Sequence, residues 1–189
     1  AAYYWQFGHT ALGDEQPVIS RLIQGPLLRL NGFGEISPQT EPFSYSQFTA
    51  ISNFFLTREN VDFISRAGRL PSMVLLLLSA WLIFLIAHRL TNHQLIAMST
   101  VVFFISNPTI RAHYTLISTD CIAASALLFF IWSFARYNTR RTYTNFLLAT
   151  LGTSLCLGTK YYFWMFLPLC WLLLLMERML TERFSIEQL

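Results

Sequence analysis

Long apolar runs in the second half of the chain limit its fold more than any other feature of the sequence. They cover residues 70–87, 94–106, 117–135 and 143–176. About 20 apolar residues in helical conformation cross the hydrocarbon layer of a membrane, and most of these runs approach or exceed that length. Only 12% of the residues are charged, against about a quarter in soluble domains. The sequence therefore predicts an all-α fold, a polytopic bundle of membrane helices.

The last apolar run, residues 143–176, is too long for one crossing and is interrupted by a Gly-Thr-Lys sequence at residues 158–160. We expect a hairpin there, with one membrane helix on each side of the turn. The run of residues 94–106 is shorter than a membrane crossing, so flanking residues would have to extend it. Together the runs predict a transmembrane bundle of about five helices within residues 66–189.

Residues 1–65 are of mixed polarity, hold most of the glycines and prolines, and contain no stretch long enough to cross a membrane. We expect them to form an extracytoplasmic loop with juxtamembrane helices. Apolar residues recur at roughly helical spacing from Ile19 to Leu30, and such a helix would either lie along the membrane surface or pack on its own protein. A further helix is expected to begin at Asn60, which can cap it. The chain opens without an initiator Met, so we expect further sequence before Ala1.

Basic residues are divided unequally between the two sets of short loops that these spans create. Cationic loops are retained on the cytoplasmic side of a membrane, which predicts that the loops richer in arginine lie inside. The loops expected inside hold Arg89, Arg136, Arg140, Arg141, Arg178 and Arg183, and the short loops expected outside hold Arg111 and Lys160.

The segment RAHYTLISTD, residues 111–120, places polar and charged side chains directly before an uncharged run from Cys121 to Phe134. A carboxylate at the mouth of an apolar run is costly in lipid, so Asp120 should face a cavity lined by protein or water. The alternative is that Asp120 caps the helix, a role that Ser118 or Thr119 can also fill. Asp120 is therefore a candidate functional residue.

Composition and spacing argue against several other kinds of site. The net charge of +3 is small and the basic residues are spread along the chain, so no nucleic-acid partner is expected. Cys121, Cys156 and Cys170 lie in apolar runs, and their odd number argues against a complete disulfide framework. No residues have the spacing of a metal site. The sequence leaves open whether a divalent metal is needed.

Several motifs, in this order, resemble those of bacterial GT-C glycosyltransferases of the dolichyl-phosphate-mannose protein mannosyltransferase superfamily. Residues 1–30 are similar to the first extracytoplasmic loop of that family, with an acidic residue, a proline, a basic residue and a Pro-Leu-Leu sequence in order. The later segments are similar to a helix start, the second outer loop and a Gly-x-x-Lys motif. The matching residues are Glu15, Pro17, Arg21, Pro26 to Leu28, Arg69 to Pro71, Pro108, Ala112, His113, Thr119, Asp120 and Lys160.

Two departures accompany the resemblance. The family's acidic pair after its first membrane helix would fall before Ala1, and its double proline reads Pro17-Val18 in this chain. The resemblance implies that the chain is an amino-terminal part of a transferase that is catalytically incomplete by itself.

The resemblance implies transfer of a sugar from a polyprenyl-phosphate donor to an acceptor hydroxyl of a lipid, glycan or protein. The reaction would occur on the outer face of a bacterial inner membrane, with the donor's tail among membrane lipids. Carboxylates would serve as base or orient the reactants, and cations would bind the donor phosphate. The expected catalytic residues are Asp120, Glu15 and Asp14, and the expected phosphate-binding residues are Arg69, Arg111, Lys160 and His113.

Other interpretations of the same residues remain open. Arg69 can anchor a helix end among lipid head groups, Lys160 can be no more than a turn residue, and His113 can be an ordinary hydrogen-bonded loop residue. A transporter would also place charges beside apolar helices, although nearer the middle of the bilayer. A non-catalytic membrane scaffold is the third class of function.

Single cysteines at positions 115 and 139 test the topology. We expect a membrane-impermeant maleimide to label Thr115→Cys in intact cells and Thr139→Cys only after permeabilisation, because the arginine-rich loops are retained inside. The three native cysteines are replaced by alanine in both variants. The opposite labelling pattern would invert the topology.

Overall fold

The computed structural model describes residues 58–115 and 119–186, together with Leu22 and Ile23. The first two of these ranges form six helices and no strands, which confirms the predicted all-α membrane fold. In chain order the helices are α1 (Arg58–Thr91), α2 (Gln94–Ser106), α3 (Pro108–Thr115), α4 (Thr119–Thr139), α5 (Tyr143–Leu157) and α6 (Phe163–Ile186).

Two segments of the described chain are long and apolar enough to cross a membrane by themselves: Arg69–Thr91 in α1 and Thr119–Thr139, which is α4. The α2 and α3 helices pass the same test only as a pair, and they are bent by 65° relative to each other. The α5 helix is apolar but shorter. The expected total of about five membrane helices stays a prediction.

The first described helix is longer than the sequence predicts. It has 34 residues, or about 50 Å at 1.5 Å per residue, which exceeds the hydrocarbon thickness of about 30 Å. Its first turns therefore extend beyond the apolar segment. The expectation that Asn60 caps this helix is wrong, because the helix begins at Arg58 and Asn60 lies inside it. The helix ends at Thr91, and the next residue, Asn92, has a φ of 49°, a left-handed conformation that Asn tolerates.

The bend between α2 and α3 is encoded by the sequence Asn107-Pro108. The Asn107 backbone is extended, and its side-chain oxygen accepts hydrogen bonds from the amides of Thr109 at 2.9 Å and Ile110 at 3.3 Å. Asn is a preferred N-cap, and proline suits the first helical position because its missing N–H is not needed there. The segment expected to be the second outer loop thus contains the short helix α3.

The predicted hairpin at Lys160 is present between α5 and α6. The two helices meet side by side, since the indole of Trp171 donates a hydrogen bond of 3.0 Å to the Thr153 hydroxyl. An apolar core joins this hairpin to α4. Its buried members are Ala123, Ala126, Phe130, Cys156, Phe163 and Leu167.

Part of the amino-terminal segment contacts the bundle. Ile23 packs against the buried residues Tyr114, Cys121 and Ile122. This contact agrees, at that one residue, with the alternative in which the segment packs on its own protein. The remaining residues of the segment, up to residue 57, lie outside the described part of the chain.

The α5 helix approaches α4 closely at Gly152. A Cβ atom added there would lie 2.9 Å from the Phe130 Cα and 2.9 Å from the Ser133 Oγ. The Phe130 backbone cannot move aside without displacing its helix, so only a residue lacking Cβ lets the two helices approach this closely.

We expect Gly152→Ala to lower the free energy of unfolding by about 1–3 kcal/mol, the usual cost of overpacking. The direction of this change in unfolding free energy is informative. Alanine is favoured over glycine by about 1 kcal/mol in a helix interior, so without the close contact the substitution should stabilise the protein. Thermal unfolding in detergent measures the effect. The matched control is Thr150→Ala, an exposed change on the same helix, which should alter stability little. An unchanged or raised stability in Gly152→Ala would contradict the close packing.

Candidate functional site

Charged side chains from three helical segments meet at one end of the bundle. Asp120 lies in the first turn of α4. Its Oδ1 is 2.9 Å from the Lys160 Nζ, and its Oδ2 is 3.8 Å from the His113 Nδ1. The second contact is an ion pair only when the imidazole is protonated. We call Asp120, Lys160 and His113 the charged cluster.

Lys160 is held by the turn between α5 and α6. The amides of Thr159 and Lys160 both donate to the Cys156 carbonyl, at 3.0 and 3.4 Å, and the buried Thr159 hydroxyl donates to the same oxygen at 2.8 Å. The Lys160 carbonyl in turn accepts from the amide of Phe163. The turn therefore fixes the position from which the lysine side chain reaches Asp120.

The two partners of this ion pair differ in their exposure. The Lys160 side chain is 19% exposed and that of Asp120 is 56% exposed. The cation thus lies deeper than the carboxylate that binds it. Among the described residues the polar partner of the Lys160 Nζ is Asp120, and an ammonium group can donate three hydrogen bonds in all.

A buried hydroxyl network fixes α3 beside α1 and α4. The Ser79 Oγ lies 2.9 Å from the Tyr114 hydroxyl and 2.8 Å from the Ser125 Oγ, and the Tyr114 hydroxyl lies 3.1 Å from the Ser125 Oγ. These three side chains, which we call the hydroxyl triad, are at most 6% exposed. Unpaired hydroxyls are costly in such a setting, so the triad favours one arrangement of the three helices.

The hydroxyl triad also bears on the charged cluster. Tyr114 is next in sequence to His113, so anchoring the tyrosine sets the position of α3 and with it the imidazole. Ser125 lies about one and a half helical turns beyond Asp120 on α4. The triad therefore links the two elements that carry His113 and Asp120.

An apolar cavity of about 420 Å³ lies among α1, α4 and α5. One of its lining residues is Thr159, the neighbour of Lys160, and another is Trp132, near the opposite end of α4. The cavity runs along the bundle, and most of the remaining lining is aliphatic or aromatic. We call it the apolar groove. It brings a surface suited to a hydrocarbon chain next to the turn that holds Lys160.

The structure brings together three of the seven residues expected at the site. Asp120, Lys160 and His113 form the charged cluster. The side chains of Arg69 and Arg111 are exposed and have no hydrogen bond or ion pair with a described residue. Asp14 and Glu15 lie outside the described residues. Within the described ranges, no group of three or more His, Cys, Asp or Glu side chains is placed to hold a metal ion.

Two features were missed by sequence reasoning. The hydroxyl triad was not predicted, although serines at positions 79 and 125 within strongly apolar runs were a signal that polar groups meet inside the bundle. Phe163 lies within a run of aromatic residues, but it is only 3% exposed and belongs to the core. Its neighbours Tyr162 and Trp164 are exposed.

Comparison with models of protein families matches residues 58–186 to the model described as dolichyl-phosphate-mannose-protein mannosyltransferase. This range is more than half of the 189 residues and includes all six helices described above. Comparisons with curated proteins and with solved structures found no match.

Removing the Tyr114 hydroxyl tests the hydroxyl triad. We expect Tyr114→Phe to lower the free energy of unfolding by about 0.5–1.5 kcal/mol, the usual range for one lost hydrogen bond. The Ser79–Ser125 contact remains in this variant, which limits the loss. Tyr143→Phe is the matched control, because Tyr143 is 76% exposed. Equal unfolding temperatures for both variants in detergent would show that the triad does not stabilise the bundle.

Proposed function

The chain belongs to the dolichyl-phosphate-mannose-protein mannosyltransferase family, and from this premise we propose that it moves a sugar from a polyprenyl-phosphate donor to an acceptor hydroxyl on the outer face of the membrane. The family match confirms the resemblance found in the sequence motifs and makes the protein a membrane glycosyltransferase of the mannosyltransferase kind. The donor, the acceptor and the face of the membrane are parts of the proposal.

The observation that carries the proposal is the placement of Lys160. Its Nζ lies 2.9 Å from an Asp120 oxygen, and an ammonium group can donate further hydrogen bonds to a bound anion. A donor phosphate that binds these N–H groups is attracted by the full charge of the ammonium group. Because Lys160 is mostly buried, water screens this attraction less than it would at an exposed lysine.

The apolar groove supports a donor with a lipid tail. It reaches Thr159, which precedes Lys160 in the chain. A polyprenyl chain lying in the groove would carry its phosphate to the charged cluster while its hydrocarbon stays out of water. The tail comes from the bilayer, which is as apolar as the groove, so the groove contributes a place for the tail beside the charged cluster rather than a large hydrophobic free energy.

In the proposed reaction the acceptor oxygen forms a bond to the anomeric carbon, and the bond from that carbon to the phosphate oxygen breaks. The acceptor proton passes to a carboxylate, and the polyprenyl phosphate leaves with the bonding electrons. Asp120, held by Lys160, is proposed as the base or as a group that orients the reactants. Glu15 or Asp14 is proposed as the base or as a second orienting group, and Arg69, Arg111 and His113 as further phosphate ligands.

The position of the charges favours a transferase over a transporter. A transporter places its coupling charges near the middle of the bilayer, often at broken helices. Here Asp120 lies in the first turn of a membrane helix and Lys160 in a turn between helices. Both are at an end of the bundle, where a lipid phosphate lies. A scaffold protein would have no need of either charge for its activity.

Charge-deleting isosteres test the proposal in the full-length protein. We expect Lys160→Gln to raise the KM for the lipid-linked donor by about 10- to 100-fold, since a hydrogen bond to a charged group contributes about 1.5–3 kcal/mol. Lys160→Arg should recover part of the loss. Asp120→Asn should raise the same KM if it orients Lys160, or lower kcat by about a hundredfold to ten-thousandfold if it is the base. Sugar transfer from a polyprenyl-phosphate donor is measured in membranes.

The matched control is Arg141→Gln, which deletes an exposed charge at the other end of the bundle and should leave transfer unchanged. All variants are compared at equal protein levels. Near-normal kinetics in both Lys160→Gln and Asp120→Asn would leave Lys160 as a turn residue and Asp120 as a structural residue of α4.

A further inference from the structure

A second charged site lies at the other end of the bundle, where α1 and α4 finish. Three arginines meet there around a polar pocket of about 340 Å³. We call it the arginine pocket. Its lining residues are Arg89, Trp132, Arg136, Thr139 and Arg140. It is about 24 Å from Asp120 along α4, the length of 16 helical residues, and is therefore separate from the charged cluster.

Arg89 builds one wall of the arginine pocket. It extends from the last turns of α1, and its Nη2 donates to the Ala135 carbonyl at 3.1 Å and to the Thr139 hydroxyl. These acceptors lie in the last turns of α4, and the Thr139 hydroxyl itself donates to the Ala135 carbonyl at 3.0 Å. The guanidinium is thus held in one position, and it joins the ends of the two helices.

The other two arginines carry charge that the described protein does not neutralise. Arg136 lies over the Trp132 ring at 5.4 Å from its centroid, and the Arg140 side chain has no polar partner among the described residues. Among those residues no carboxylate lines the pocket. Three like charges around one pocket repel one another, so an anion that fills it would relieve the repulsion and gain several charge-assisted hydrogen bonds.

The depth of the arginine pocket relative to the membrane indicates the source of the anion. Both segments that can cross a membrane by themselves end here, at Thr91 and at Thr139, so the arginines lie at the boundary between hydrocarbon and water. Trp132 lines the arginine pocket and also the apolar groove. A ligand at this place therefore has a polar wall for its head group and an apolar surface for its chain.

We propose that the arginine pocket binds the phosphate of an anionic membrane lipid from the leaflet opposite to the charged cluster. The guanidiniums of Arg136 and Arg140 bind the phosphate oxygens, a geometry for which arginine is well suited. The first part of an acyl chain lies against Trp132 at the end of the apolar groove. The tendency of cations to be retained in cytoplasmic loops explains why arginines occur on this side, but it does not explain their convergence on one pocket.

The test uses the full-length protein in vesicles of equal parts phosphatidylglycerol and phosphatidylcholine. Native mass spectrometry then counts the lipid that stays bound after release from the membrane. We expect Arg136→Gln and Arg140→Gln each to reduce retained phosphatidylglycerol by about fivefold, as for the loss of about 1 kcal/mol per basic residue. The double variant should retain about 25-fold less phosphatidylglycerol. The control Arg141→Gln deletes a neighbouring exposed charge that does not line the pocket and should change retention by less than about twofold.

Three outcomes overturn the proposal. Equal retention by all variants shows that the pocket binds no lipid, and equal losses for Arg141→Gln and Arg140→Gln show a diffuse surface charge. If inorganic phosphate at a concentration equal to that of the lipid displaces the bound phosphatidylglycerol, the pocket is a site for free phosphate. Folding is checked by helical circular dichroism. If the double variant does not fold, Arg140→Gln decides, because it removes a side chain that has no described polar partner.

Discussion

The structure depends on the requirement that polar groups inside a membrane bundle find partners within the protein. A hydroxyl buried without a partner costs several kcal/mol in apolar surroundings, so the meeting of Ser79, Tyr114 and Ser125 restricts how α1, α3 and α4 can pack. Arg89 acts similarly at the other end, where it binds acceptors near the end of α4. The α1 and α4 helices are thus joined near both ends of α4, and α4 carries residues of both charged sites.

The sequence predicted the apolar helices well because the thickness of the hydrocarbon layer sets the length and the apolar composition of a helix that crosses it. It predicted their ends poorly, because ends are set by local chemistry. Asn60 is of a residue type preferred at helix N-caps but lies inside α1, whereas Asn107-Pro108 is a clear helix-start signal that was assigned to a loop. The five-helix interpretation also placed Asp120 and Lys160 at the same end, since alternate crossings return the chain to one side. Their contact follows from that topology and from the hairpin turn.

The faces of the helices could not be predicted in the same way. A helix that is apolar nearly all round gives no amphipathic pattern to indicate which side packs inward. Ser79 and Ser125 therefore indicated that polar groups meet inside the bundle, but not that they meet each other and Tyr114. Helix length places an arginine at the membrane boundary, but only packing decides whether it meets a pocket. The convergence of Arg89 and Arg140 therefore needed the three-dimensional structure, as did the absence of a described polar partner for Arg69.

The energetics of Asp120 bear on whether its charge is structural. A carboxylate in the first turn of a helix gains about 0.3–1 kcal/mol from the helix dipole, and a cation in the last turn, such as Arg136, gains a similar amount. An exposed ion pair adds about 0–1 kcal/mol more, and Asp120 is more than half exposed. These small gains explain why such charges are tolerated at the two ends of α4. They do not explain why the Lys160 side chain, from the turn between α5 and α6, lies mostly buried beside Asp120. They also do not explain why Arg136 shares a pocket with two further arginines. Because the Lys160 side chain is only 19% exposed, water screens its ammonium charge less than it would screen an exposed one, and the proposed donor phosphate would be a second anion beside it.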